Sequence, residues 1–178
     1  MATKKSIIDA TIHCLAFKGY DGASIRDVAA KAGVQASRIY YYFADKSELF
    51  EAAYRQIIAN LQRDIVPIRR IDNPSERMRA IIDYQLRQRK MLAALLNYFV
   101  GQSNKFPKRS DDGYVPPSAY MHIFECLKIG ETAGLYQTHT TSLDAKIIAH
   151  IMNGFILEYA TRPLPKPRRE QLVEAITS

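Results

Sequence analysis

The chain has 178 residues, a formal charge of +7 and a hydrophobic content of 47% against 24% charged residues. It is long enough to bury a core and too apolar for a disordered tail, yet no apolar run approaches the roughly 20 residues of a membrane span. The basic excess is spread out, with seven Lys or Arg against five Asp or Glu in residues 1–50, so charge alone does not point to nucleic acid.

The chain opens on MATKKSIIDATIHCLAF, where Asp9 and His13 interrupt the apolar run and predict a helix rather than a signal peptide. Ile8, Ile12 and Leu15 fall on one face of that helix, from Thr3 to Lys18, and Gly19 supplies a stop. Ser24 and Asp27 have the spacing of a capping box for a second helix, whose buried stripe is Ile25, Val28, Ala29 and Ala32. After Gly33 a short third helix is expected from about Gln35 to Tyr41, anchored by Val34, Ile39 and Phe43. Asp45 and Glu48 then cap a fourth from Lys46 to about Asp64. Asn73 and Pro74 open a fifth that is expected to run unbroken to about Gly101.

The following GQSNKFPKRSDDGYVPPS reads as a long exposed loop. Two helices are expected after it, about Ala119 to Ala133 and Leu143 to Thr161, and RPLPKP separates them from a final segment, Arg168 to Ser178. The apolar face of that segment, Leu172, Val173 and Ile176, is still open at Ser178, which predicts that the natural chain continues. The periodicity is helical nearly everywhere and no segment alternates as a hairpin does, so the fold class is all-α. Cys14 and Cys126 show no paired spacing and predict reduced thiols, as in the cytoplasm.

Two short helices joined by a tight turn at Gly33, with Ala29 where they must approach, have the pattern of a helix-turn-helix. Gln35, Ala36, Ser37 and Arg38 then project from the start of the reading helix toward base edges, Arg38 suiting guanine and Gln35 adenine. Three consecutive tyrosines cannot share one face of a helix. Tyr40 and Tyr41 leave the face of Ile39 and Phe43 and are assigned to phosphates, whereas Tyr42 is expected to pack inward. Ser24, Arg26 and Lys46, at or near helix N-termini, complete the expected phosphate contacts.

Residues 20–50, YDGASIRDVAAKAGVQASRIYYYFADKSELF, resemble the DNA-binding domain of the TetR family of bacterial transcriptional regulators. The resemblance rests on Ser24, Val28 with Ala29, Ala32 to Val34, Tyr40 with Tyr41 to Phe43, and Lys46 to Leu49. Ser37 stands where the family commonly has Gly, and Ser47 where it has an acid. The resemblance implies a helix-turn-helix DNA-binding domain over residues 1–46 and a helical ligand-binding and dimerisation domain over 47–178. It further implies a cytoplasmic homodimer on a palindromic double-stranded operator, acting as a repressor released by a small hydrophobic or amphipathic effector.

In that framework the mixed apolar and polar stripe Met78, Ile82, Gln85, Arg89, Leu92, Leu96 and Phe99 is the expected effector pocket. Tyr54, Ile58 and Leu61 from the fourth helix join it, with Met121 and Phe124. Ile147, Ile148, Ile151, Met152, Phe155 and Tyr159, with Leu172 and Ile176, form the expected dimer surface. No phosphate loop, catalytic triad order or carboxylate-rich metal motif is visible, so neither enzyme activity, a cofactor nor a metal is expected. His122 and Cys126, four apart, leave a metal- or redox-responsive regulator as an alternative, although a closed metal site needs three or four ligands. A helical DNA-repair or adaptor module is the remaining alternative.

Overall fold

Helix ends are fixed by the residues the sequence places there. In the computed structural model, which describes residues 3–102, 119–135, 141–160, 162–164, 170–171 and 174, the Thr3 side chain caps α1, Lys4–Gly22, by accepting from the Ser6 N–H. The helix is interrupted at Gly19 as expected, where φ is 70° and ψ 179°, and a short helical stretch resumes beyond that kink as far as Gly22. Ser24 and Asp27 form the full capping box of α2, Ile25–Ala32. Gly33, at φ 69° and ψ 35°, closes that helix in the left-handed conformation and turns the chain into α3, Ala36–Tyr40, slightly shorter than expected.

The fourth helix, α4, spans Lys46–Arg69. Asp45 accepts from the Glu48 N–H at 2.9 Å, while the Glu48 carboxylate accepts from the Ala44 N–H at 2.6 Å. It continues past the expected stop near Asp64 and takes Pro67 into its last turn, where the proline ring removes one main-chain hydrogen bond. Asn73 accepts from the N–H groups of Ser75 and Glu76 and starts α5, Pro74–Arg87.

The helix expected from Pro74 to Gly101 is two helices, α5 and α6, Arg89–Gly101. Gln88 between them takes φ −91° and ψ 14°, and neither Gly nor Pro marks the break. The Arg89 guanidinium stabilises it by donating to the carbonyls of Leu86 and Tyr159. The last two helices are α7, Ala119–Thr132, and α8, Thr141–Tyr159. Most of the expected loop and the residues Leu172, Val173 and Ile176 lie outside the described residues.

The chain forms two compact units, Met1–Leu61 with Lys90–Gly113, and Gln62–Arg89 with Tyr114–Ser178. In the first, Ile7, Leu15, Val28, Ile39, Phe43, Leu49, Phe50 and Ile57 are buried. Helix α6 joins this unit. Tyr98 stacks on Tyr54 at 4.9 Å and meets Tyr20 edge-on at 5.8 Å. In the second unit Met78, Ile81, Ile82 and Leu86 of α5 pack with Ile123, Cys126 and Leu127 of α7 and Ala145, Ala149 and Met152 of α8. Among the described residues no helix is long and apolar enough to cross a membrane.

Candidate nucleic-acid interface

The reading helix is presented by what lies beneath it. Val28, Ala29, Ile39 and Phe43 are buried, so a five-residue helix that would not persist alone is held by tertiary packing. The turn is closed by main-chain bonds from Gly33 N–H to the Ala30 carbonyl and from Val34 N–H to the Ala29 carbonyl. Residues on the opposite face must then face solvent. Gln35, Ser37, Arg38, Tyr40 and Tyr41 are exposed, and Ala36 is half-buried. Val34, Gln35, Ser37, Arg38 and Tyr41 line one open concavity.

Arg38 is pre-positioned within that concavity. Its Nη2 donates to the Tyr42 hydroxyl at 3.0 Å, and its guanidinium lies 5.2 Å and 5.1 Å from the ring centres of Tyr41 and Tyr42. Cation–π contact and a hydrogen bond together restrict a side chain that is otherwise free to take many rotamers. Tyr42 is half-buried, as expected, but its hydroxyl has a task that the inward assignment missed: it orients the arginine. The signal was available in the spacing, since residues 38 and 42 are four apart.

The expected phosphate contacts divide. Arg26 is exposed on the first turn of α2. The Lys46 ammonium lies over the rings of Tyr20 and Phe50, at 4.9 Å and 5.4 Å, and reaches the Asp21 carbonyl. The Ser24 hydroxyl accepts from the Asp27 N–H at 3.2 Å and donates to the Asp27 carboxylate at 2.6 Å. Ser24 thus sets the terminus of α2. The Asp27 carboxylate also accepts from Lys18 and from the Ser24 N–H, and those bonds hold its pKa well below the usual carboxylate range.

The residues proposed for the pocket are shared between the two units. Tyr54, Ile58, Leu61, Leu92, Leu96 and Phe99 belong to the first, and Met78, Ile82, Gln85, Arg89, Met121 and Phe124 to the second. Met78, Ile82 and Gln85 are buried on one stripe of α5. Met121 does not join them: it is 46% exposed, since it lies about half a turn around α7 from Ile123 and Cys126. Two of the Arg89 donors are engaged with main-chain carbonyls.

The stripe expected to pair two copies is also split. Ile147 and Ile151 are 49% and 47% exposed, whereas Met152 and Tyr159 are buried in the core and Ile148 and Phe155 are half-buried. Residues three and four apart cannot all share one direction when the set spans 147, 148, 151, 152 and 155. Leu143 and Leu157, which the sequence reading passed over, are exposed together with Gly154 on the side of Ile147 and Ile151. No group of three or more His, Cys, Asp or Glu placed to hold a metal ion occurs among the described residues. Burial pushes the Cys126 thiol up to about 11, the behaviour of a packed cysteine.

Residues 7–53 match the model of the bacterial regulatory proteins of the tetR family. Residues 7–53 are thus similar to the N-terminal domain of the TetR family. That matched region contains the capping box of α2, the turn at Gly33 and the Arg38 cluster. The chain is 40% identical over 83 residues to the HTH-type transcriptional regulator BetI 1 of Chromohalobacter salexigens, covering 45% of this chain and 41% of that protein. It is 30% identical over 102 residues to BetI of Brucella abortus, covering 54% and 52%. The chain thus spans about half the length of the curated relatives it matches.

The fold likeness extends further than the sequence likeness. A putative transcriptional regulator from Saccharomonospora viridis, solved in complex with choline, superposes with a TM-score of 0.72 at 19% identity, covering 97% of this chain and 92% of that one. The transcriptional regulator FadR from Bacillus subtilis, in complex with stearoyl-CoA, gives 0.62 at 18% identity, covering 99% and 98%. The all-α arrangement beyond the TetR-family domain is that of these regulators.

Proposed function

We propose that the chain is a ligand-responsive transcriptional regulator that binds double-stranded DNA in a sequence-specific manner and represses until an effector releases it. The observation that carries this reading is the Arg38 cluster. An arginine held by Tyr41 and Tyr42 at the exposed face of a reading helix, beside Gln35 and Ser37, suits bidentate recognition of a guanine edge. Arg26, Tyr40, Tyr41 and Lys46 supply donors for the flanking phosphates. In functional terms residues 1–46 read DNA, and residues 47–178 dimerise and hold the effector in the cytoplasm.

One reading helix buries too little surface for tight and selective binding, so two copies on a two-fold axis are required. The exposed face of α8 formed by Leu143, Ile147, Ile151 and Leu157 supports that pairing, with Gly154 permitting close approach. Relatives named BetI are transcriptional regulators, and the choline and stearoyl-CoA complexes are precedents for small molecules in this fold. Gln85 and the apolar residues around α5 are the strongest candidates for the corresponding site here. Fluorescence anisotropy tests the DNA reading: a selected duplex should bind at least about 1,000-fold more tightly than a scrambled one. Equal affinity for both at physiological salt would refute it.

A further inference from the structure

Gln85 is 4% exposed, and neither the oxygen nor the nitrogen of its side-chain amide has a hydrogen-bond partner. A primary amide carries two donors and an oxygen with two lone pairs, so an unmet amide in a dry interior costs free energy that a partner would return. Its place on α5 identifies the surroundings. Met78, Ile82 and Gln85 follow one another at spacings of four and three and share a face, and Met78 and Ile82 pack with Ile123, Cys126 and Met152. Gln85 is thus a neutral polar group set against an apolar cluster.

The same unit lacks a buried counter-ion. Among its described residues Gln85 is the buried polar or charged side chain, and no Asp, Glu, Lys or Arg is buried. On α7, His122 Nδ1 is buried without a hydrogen bond, and burial depresses the imidazole pKa, so that ring is neutral at pH 7. A quaternary ammonium or a carboxylate buried here would lose its hydration with no buried opposite charge to replace it. An uncharged group that both donates and accepts would instead complete the amide on both sides.

We infer that Gln85 is the polar anchor of the effector site and that the effector is an uncharged amphiphile, with a head group that both donates and accepts a hydrogen bond. A carboxamide or alcohol on a hydrocarbon tail has this chemistry, and the tail lies against Met78, Ile82 and Met152. This inference rests on the reading of the chain as an effector-responsive regulator. It separates the chain from the choline-bound neighbour, whose ligand is a cation.

Thermal melting of the full chain with octanamide, octyltrimethylammonium and octanoate at equal, sub-micellar concentrations tests the class of ligand. Octanamide should raise the melting temperature, and the two ions should not. In Gln85→Met, which preserves apolar volume and removes the unmet amide, the unliganded protein should melt no lower than wild type, and octanamide should bind about tenfold more weakly or worse. Stabilisation by either ion to the same degree, undiminished octanamide binding in the variant, or no stabilisation by any of the three would overturn the inference. The wild-type measurement needs no variant, so a poorly folding Gln85→Met leaves the test intact. DNA affinity in the same samples separates the two levels: octanamide binding without DNA release supports the site and refutes the switch, whereas release by an ion alone supports the switch and refutes the anchor.

Discussion

The side-chain amide of Asn97 in α6 donates to the carbonyl of Leu15 in α1 at 3.0 Å, with the Ala16 carbonyl at 3.4 Å. One turn further on, a Cβ on Gly101 would collide with the Cβ of Tyr20. The polar contact and the close approach hold α6 against the TetR-family domain, within the first compact unit.

Gly101→Ala should therefore destabilise that unit by about 1–3 kcal/mol, because both atoms in conflict are fixed to backbone and neither can swing away. Asn97→Ala should cost about 1–2 kcal/mol through the lost carbonyl contacts. Urea unfolding followed by circular dichroism measures both, and an unchanged midpoint for Gly101→Ala would show that α6 does not approach α1 this closely.

Arg38→Ala should reduce discrimination between the preferred duplex and a scrambled one by about 1–3 kcal/mol. Tyr42→Phe should act in the same direction but less, since it removes the hydroxyl that orients Arg38 while keeping the ring contact. Lys46→Ala should instead weaken binding to both duplexes alike and lower the salt dependence. Anisotropy titrations at two salt concentrations distinguish the three patterns.

Replacing Ile151 with Arg should yield a folded monomer, because this side chain is 47% exposed in the single chain and is assigned to the interface. Met152→Arg should instead unfold the second unit, as it would bury a charge in a fully enclosed position. Light scattering combined with circular dichroism reads both outcomes. Dimeric Ile151→Arg would place the interface elsewhere.

Acid should destabilise the chain in two steps. Burial lowers the His122 pKa, so the stability tied to its neutral form is present above the ordinary histidine value and declines as pH falls below about 6.5. Asp27 is depressed by its bonds to Lys18 and Ser24, so its contribution is complete above about pH 4 and is lost as pH falls further. His122→Gln should flatten the first step and Asp27→Asn the second, in unfolding free energies measured from pH 7 to pH 3.

The capping box, the turn at Gly33 and the core of the DNA-reading module were legible because each depends on neighbours within a few residues. Ser24 and Asp27 are three apart, and Gly33 needs only its own φ. The break at Gln88 left no such mark: its geometry depends on Arg89 reaching the Tyr159 carbonyl, seventy residues away in sequence. The α8 stripe is divided between solvent and core for a different reason. Leu, Ile and Met occur around almost its whole circumference, so composition could not separate Ile151, which faces out, from Met152, which faces in. The Ser24 hydroxyl closes the capping box as an acceptor and donates to the Asp27 carboxylate, a second local bond that the spacing alone does not reveal.

Sequence-specific recognition through Arg38 by paired copies of this chain is tested most directly by selecting bound duplexes from a random DNA pool and sequencing them. The wild-type chain should enrich an inverted repeat whose half-sites lie about one helical turn, ~34–36 Å, apart. The same selection with Arg38→Ala should lose the preference at one base pair in each half-site while keeping the spacing. Enrichment of no sequence, or of one unaltered by Arg38→Ala, would contradict the account.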